Sequence, residues 1–317
     1  MATVENLPGQ REKSLFDRLL EEYGGLQGLL FLLPSLTLLL LIVIWPMWDN
    51  GLLLSFKDFT VAANEPNQWV GLENYRYWLV GEGASLLLFS VKMTILYELV
   101  VVPFDAVVAI AAALVMNESM PARPLWRGFM LAGYAAPPIA AGIVWATMEQ
   151  GAAYGTVFHI MNDIFPIPSA GGLTANRPWA FWAVIIPKVW RDFGFMYVVV
   201  LAAVQSIPSS LYEMAKVDGA GPVQRFRYIT LPHIRTVLVT VVMIRTVFTV
   251  GKMAIPWAVT KGGPVNYTTF LGVLIFKQGF VQWNLGRAAA LGMLFAAFLI
   301  PLILIWVRTE TSEYDGH

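Results

Sequence analysis

Residues 212–232 read "YEMAKVDGAGPVQRFRYITLP", a polar, charged, glycine-bearing stretch closed by a proline and set between two long apolar runs. Leu211, Met214, Ala215 and Asp218 recur at helical spacing. Ser209 or Ser210 is placed to cap the start of that helix, with Glu213 three or four residues on. Asp218–Gly221 and Pro222 then end it, through glycine's backbone freedom and proline's missing donor. A second short helix is expected over Val223–Thr230, with Arg225 and Phe226 on its surface, and Leu231-Pro232 marks the exit into the next apolar run. The residues alone leave two readings open: a compact helix–turn–helix knob, or an ordinary solvated loop.

The flanking runs settle the solvent. Of 317 residues, 57% are hydrophobic and 13% charged, against about a quarter charged in soluble domains. The mean hydropathy of +0.62 points to a bilayer. Net charge is zero, so no basic excess suggests nucleic acid. There is no cysteine for a disulfide or a thiolate metal site. The N-terminal "MATVENLPGQREKSLFDRLLEEYGG" has no apolar core beside a small-residue cleavage site, so a cleaved leader is not expected.

A helix needs about 20 apolar residues to cross the hydrocarbon, and six stretches meet that length: Gly28–Trp48, Leu86–Val115, Gly128–Met148, Trp179–Val204, Thr236–Trp257 and Ala288–Val307. The expected fold is therefore an all-α polytopic membrane protein with about six transmembrane helices. Trp45, Trp48, Trp145, Trp179, Trp257 and Trp306 fall near span ends, where indole rings favour the headgroup layer. With the N-terminus inside, the inner segments hold Arg11, Lys13, Arg18, Arg123, Arg127, Lys216, Arg225, Arg227, Arg235 and Arg308. The outer loops hold Lys57, Arg76, Arg177, Lys261, Lys277 and Arg287. The bias favours both termini in the cytoplasm, and residues 212–232 then face the cytoplasm.

Ionisable residues inside spans are costly and mark function by default. Here they are Lys92, Glu98 and Asp105 in span two, Lys188, Arg191 and Asp192 in span four, and Arg245 and Lys252 in span five. Glu98 and Asp105, seven apart, share a helix face. Arg245, Thr249 and Lys252 are expected on one face of span five, and Lys188 and Asp192 can pair across one turn. At 1.5 Å per residue, Lys188 and Arg191 lie roughly 12–18 Å from the outer end of their span. These charges either pair among themselves, span two with span five, or meet a translocated solute. His159, His233 and His317 are isolated, and no metal-ligand or nucleophile–base set suggests an enzyme. No G-x-x-x-x-G-K-[ST] loop occurs, so this chain is not expected to hydrolyse ATP.

Residues 212–232 resemble the coupling loop, or EAA motif, of bacterial ABC importer permeases, in Glu213, Ala215, Asp218-Gly219-Ala220, Phe226 and Ile229-Thr230-Leu231-Pro232. Met214 departs, standing where that family usually has alanine. "WVGLENYRYWL" (69–79), "APPIAAGIVW" (136–145), "SIPSSLYE" (206–213), "TKGGPVNYTT" (260–269) and "LGRAAALGM" (285–293) look like the carbohydrate branch, the maltose, trehalose and glycerol-phosphate type. The resemblance implies a type I importer permease in the bacterial inner membrane. Its expected parts are a cytoplasmic segment 1–27, a transmembrane domain 28–307 with a cytoplasmic coupling loop 206–235, and a tail 308–317. It also implies a second permease subunit forming a heterodimer, a dimeric ABC ATPase that carries the ATP and magnesium, and an extracytoplasmic solute-binding protein. No cofactor is expected in this chain.

By the same resemblance, Glu213, Ala215, Asp218, Gly219, Arg225, Phe226 and Pro232 couple to the ATPase. Lys188, Arg191, Asp192, Phe195, Arg245, Thr249 and Lys252 match the solute-contacting positions, with Phe195 or Trp190 available to stack on a sugar ring. Maltose carriers hold mainly amides, hydroxyls and aromatics there, whereas these positions are largely cationic. A sulfonated, phosphorylated or uronic sugar is the expectation, and a neutral oligosaccharide or polyol the alternative. An ion-coupled secondary transporter using Glu98, Asp105 or Asp192, and a receptor or scaffold, are the readings from other classes.

Overall fold

The structure, a computed structural model, describes residues 26–60 and 68–314, apart from the side chains of 26–29, 302–303 and 305–314. The basic residues Arg11, Lys13 and Arg18, and the side chains of Trp306 and Arg308, lie outside what is described.

The chain is helical. Helix α1 (Leu26–Leu38) continues through π-type turns at Leu39–Ile44 and Met47–Leu53. A two-residue hairpin follows, Lys57–Asp58 (β1) against Gln68–Trp69 (β2), then α2 (Glu73–Leu79) and the long α3 (Ala84–Asn117). Helices α4 (Arg123–Ala135) and α5 (Pro138–Met148) come next, with α6 (Thr156–Ile164) and α7 (Gly172–Ala175) in the loop before α8 (Trp179–Gln205). The quoted stretch forms α9 (Ser209–Val217) and α10 (Pro222–Arg225). Then come α11 (Leu231–Val250), α12 (Ala254–Thr260), α13 (Leu271–Phe276) and α14 (Leu285–Tyr314).

Among the described residues, three helices are individually long and apolar enough to cross a membrane, or up to five if each bent pair is one span. All six expected spans are helical, but two are not single rods. The third is α4 plus α5, meeting at 92°. Pro137 and Pro138 remove consecutive backbone donors, so the helix cannot run through. The fifth is broken after α11 and resumes as α12. Pro256 lies in the first turn of α12, where a missing donor is tolerated, and it leaves the carbonyl of Lys252 without a helical partner. An added apolar helix, Leu271–Val281, was not among the expected spans; at 11 residues it is too short to give a spanning signal.

Helix α8 is the axis of the bundle, with α3, α4, α5, α11 and α12 packed around it. Its near-continuous apolar sequence suits a helix buried on most sides. Two apolar cores form along it. Towards the end bearing the 149–178 and 261–270 loops, Met93, Tyr97, Val101, Val184, Ile185, Val189, Ile255 and Phe270 pack together. Towards the end bearing α9, the core is Ala109, Ala113, Met116, Met196, Tyr197, Val200, Val204, Ile234 and Val241. Between the cores lie Asp105 on α3, Arg191 and Asp192 on α8 and Arg245 on α11. Small residues let the broken spans cross closely: a Cβ on Gly142 of α5 would lie 2.6 Å from Cβ of Ala258 in α12.

The loop end is knitted by polar contacts. Asn74 donates to the carbonyls of Ser55 and Lys57, Trp78 Nε1 donates to the Arg287 carbonyl at 3.0 Å, and Leu285 N–H donates to the Phe59 carbonyl. The first long loop is thereby fixed to the start of α14. At the same end Glu149, immediately after α5, is fully buried and neither carboxylate oxygen has a hydrogen-bond partner among the described residues. Burial pushes its carboxyl up to about 9 from 4.5. A fold that prefers the protonated acid binds more protons than the unfolded chain between those values, so it loses stability as pH rises through that window. Thermal unfolding of the purified protein at pH 5 and pH 8 should show a loss on the order of 3 kcal/mol that Glu149→Gln abolishes. Parallel pH profiles for the two proteins would refute this.

Candidate functional site

The charged layer is an ion-pair hub built on Asp192 of α8. Its carboxylate accepts from Lys188 one turn back, from Arg191 beside it and from Arg245 of α11, the last at 2.7 Å. Arg245 also donates to Asp105 of α3 through Nε at 3.1 Å and Nη2 at 2.7 Å. Lys188, Asp192, Arg245, Asp105 and Thr249 are all buried. Three helices are thus tied at one level, and the pairing of span two with span five, one of the two readings open from sequence, accounts for Asp105 and Arg245. The i, i+4 spacing of Lys188 and Asp192 gives the expected pair. Glu98, two turns from Asp105, is buried with both oxygens unpartnered among the described residues, as are Asp105 Oδ1 and Thr249 Oγ1.

Only part of the expected solute-contacting set faces open space. Arg191 keeps 14% of its side-chain surface accessible. Its Nε donates to the Ala136 carbonyl at 3.0 Å, at the α4–α5 break, and its guanidinium lies over the Tyr134 ring at 5.6 Å. Tyr134, 44% exposed, is stacked on half-buried Phe195. Trp190 is 41% exposed and packs on Trp145. Lys252 differs from expectation. It lies beyond the end of α11, in the break, so it does not continue the helix face of Arg245 and Thr249. Its side chain is exposed, makes no ion pair among the described residues, and is close enough for its charge to couple with Asp192, Arg245 and Arg191. Lys92 is likewise exposed, away from the hub. The expected seven therefore divide into a buried set, Lys188, Asp192, Arg245 and Thr249, and a more accessible group, Arg191, Phe195 and Lys252. Tyr134 joins the second group; it was not singled out from sequence, although the adjoining Ala-Pro-Pro is a helix-break signal.

Irregular backbone at membrane depth is tolerated where it is buried in protein or lines a water-filled cavity, and broken spans commonly mark solute sites. The α4–α5 break, with its aromatic ring and oriented guanidinium, has the chemistry for stacking on a ring and hydrogen-bonding its substituents.

Residues 209–230 form a knob. Helix α9 starts at Ser209 after Pro208, with no side-chain cap, so the expected serine cap is not used. It ends in a Schellman motif: Ala220 N–H donates to the Ala215 carbonyl at 2.8 Å and Gly219 N–H to that of Lys216 at 3.1 Å, with Gly219 at φ +79°. The second helix begins one residue earlier than expected, at Pro222, where the Gln224 side chain accepts from Gly221 N–H. It does not stop at Leu231-Pro232. A π-type turn, Phe226–Thr230, carries it into α11, and Pro222–Val250 is one continuous helix. Tyr212 and Thr230 hydroxyls, 2.9 Å apart, tie the two arms. Arg225 and Phe226 are half-buried rather than on the surface, as is Ala215; Glu213, Asp218, Gly219 and Pro232 are exposed. Met214, Val217 and Val223 add exposed apolar surface, Val217 at 88%. An apolar patch rimmed by acids at the tip of a rigid turn is the form of a docking surface, which favours the knob reading over the solvated loop.

A bundle of apolar helices with broken spans at a charged midlayer and a protruding helical knob has the form of a membrane permease. Residues 106–309 match the model of the binding-protein-dependent transport system inner membrane component family, and the chain belongs to that family. It is 33% identical over 88% of its length to the inner membrane ABC transporter permease protein YcjO of Escherichia coli, covering 92% of it. It is 29% identical to the trehalose/maltose permease MalF of Thermococcus litoralis, over 91% of this chain and 95% of that one. To the sulfoquinovosyl glycerol permease SmoG of Agrobacterium fabrum it is 30% identical, over 94% and 95%. Its fold matches a crystal structure of a bacterial ABC transporter for the acidic polysaccharide alginate, with a TM-score of 0.67, 20% identity, and 96% and 100% of the two chains covered. The architecture is that of type I ABC importer permeases. Membership in this family displaces the ion-coupled and scaffold readings.

Proposed function

We propose that this chain is one of two membrane subunits of an ATP-driven importer for a carbohydrate bearing an anionic group, with the solute passing the α4–α5 break. Both termini and the 206–235 segment face the cytoplasm in this reading, where Glu213, Ala215, Asp218, Gly219, Arg225, Phe226 and Pro232 shape the surface that a dimeric ATPase grips. ATP and magnesium belong to that partner, and an extracytoplasmic binding protein delivers solute at the loop end. ATP-driven closure of the ATPase carries the knob, and the spans rock between discrete packings.

The observation carrying the anionic reading is the partly exposed Arg191, oriented beside exposed Tyr134, with Lys252, which makes no ion pair among the described residues, close enough to couple with it. An aromatic face suits a sugar ring, and a guanidinium fork suits a sulfonate, phosphate or carboxylate. Transport of sulfoquinovosyl glycerol by one relative is in line with it. A neutral sugar is the second reading, favoured by the burial of Lys188 and Arg245 in ion pairs and by the trehalose/maltose relative.

The test is ATPase activity of the complete complex in nanodiscs with its binding protein, given sulfoquinovosyl glycerol, sn-glycerol 3-phosphate, a uronic oligosaccharide or trehalose. Stimulation by an anionic solute, reduced about tenfold by Arg191→Gln, is expected; about 1.4 kcal/mol of lost binding is enough. A response to trehalose alone would favour the neutral reading.

A further inference from the structure

We propose that Asp192 determines the charge that the solute path presents. It acts as an internal counter-anion that withdraws Lys188 and Arg245 from solute recognition and positions Arg191 as the recognition arm. This rests on the reading of the α4–α5 break as the path.

Three cations converge on this one buried carboxylate: Oδ2 takes Lys188 and Arg245, and Oδ1 takes Arg191. Arg245 is shared with buried Asp105. A carboxylate with so many donors is fixed, and so are the groups it holds. Arg191 has five N–H donors. One is committed through Nη1 to Asp192 and one through Nε to the Ala136 carbonyl. The others make no hydrogen bond among the described residues, on a side chain that is 14% accessible and held at two points. The hub thereby performs two tasks: it neutralises cations inside the wall and aims one outward. Glu98, buried on the adjoining turns of α3, and exposed Lys252 complete the charges near the hub. Asp192 is a positioning residue in this account, and Lys188 and Arg245 buttress it without touching solute.

The chain has no cysteine, so one introduced thiol reports the potential without knowledge of the solute. Tyr134→Cys would be placed in the complete complex in nanodiscs and labelled with a negatively and a positively charged methanethiosulfonate of similar size. Adding Asp192→Asn should raise the negative-to-positive rate ratio roughly tenfold, because one buried negative charge a few ångströms behind the wall is lost. Arg191→Gln, which leaves Asp192 its Lys188 and Arg245 partners, should lower the ratio by a similar factor, and it keeps the test usable if Asp192→Asn does not assemble. Lys188→Cys should stay unlabelled by either reagent.

A thiol at 134 that labels with a ratio indifferent to both substitutions would overturn the role of Asp192 and leave the path standing. A thiol at 134 that neither reagent reaches would overturn the path itself. Rapid labelling at 188 would show that Lys188 faces solute, and would overturn the buttress role.

Discussion

Arg245→Met should prevent the protein from accumulating in the membrane as a monodisperse species. The substitution removes both hydrogen bonds that Asp105 accepts from Arg245 and leaves that buried carboxylate without its counter-charge. Stranding one member of a buried ion pair costs about 3–5 kcal/mol, whereas replacing the pair by apolar residues of similar volume is often neutral. Asp105→Leu combined with Arg245→Met should therefore recover most of the protein, because Asp192 keeps Lys188 and Arg191. Size-exclusion profiles of fluorescently tagged variants read both outcomes. A single variant indistinguishable from the parent would mean that the midlayer ties contribute nothing to folding.

Gly219→Val should weaken coupling strongly while leaving the bundle intact. Gly219 sits at φ +79° in the Schellman turn, and a Cβ there would meet nothing within 4 Å. The penalty is thus purely conformational, about 1–2 kcal/mol for a left-handed side-chain residue and more for a β-branched one. The turn sets the angle between the two arms of the knob, so strain there displaces residues 213–218 relative to α11. Uptake by the complete system should fall about tenfold or more with Gly219→Val, for a distortion of roughly 1.4 kcal/mol, and largely survive with Gly219→Asn, since asparagine tolerates this region. Equal activity in the two variants would remove the turn from the coupling path.

The six apolar stretches were legible as helices because hydrocarbon thickness sets the length of apolar sequence that a crossing helix needs. The knob was legible because Asp218–Pro222 carries a helix stop in its residue types. Single-chain periodicity places Lys252 with Arg245 and Thr249. The structure separates them because Pro256 acts back through the chain on the carbonyl four residues earlier. Leu231-Pro232 reads as a stop in the sequence, yet a π-type turn before it absorbs the missing donor and the helix continues. The division of the cations was beyond reach of the sequence: Asp105 and Arg245 are 140 residues apart, and only packing decides which cation meets an acid and which keeps an open face. Tyr134 escaped for a related reason, since its exposure is created by the bend at Ala136–Pro137.

The most direct test of the central claim, that a separate ATPase moves this chain through the 209–230 knob, uses Val217→Cys, the single thiol of an otherwise cysteine-free chain, at an 88% exposed position on the knob. The complete complex would be treated with a water-soluble maleimide and, separately, with a short bifunctional thiol–amine cross-linker. Strong protection from the maleimide is expected, with one cross-linked product containing the ATPase whose yield changes between nucleotide-free and ATP-bound states. Free labelling in the assembled complex, with no ATPase adduct in either state, would contradict it.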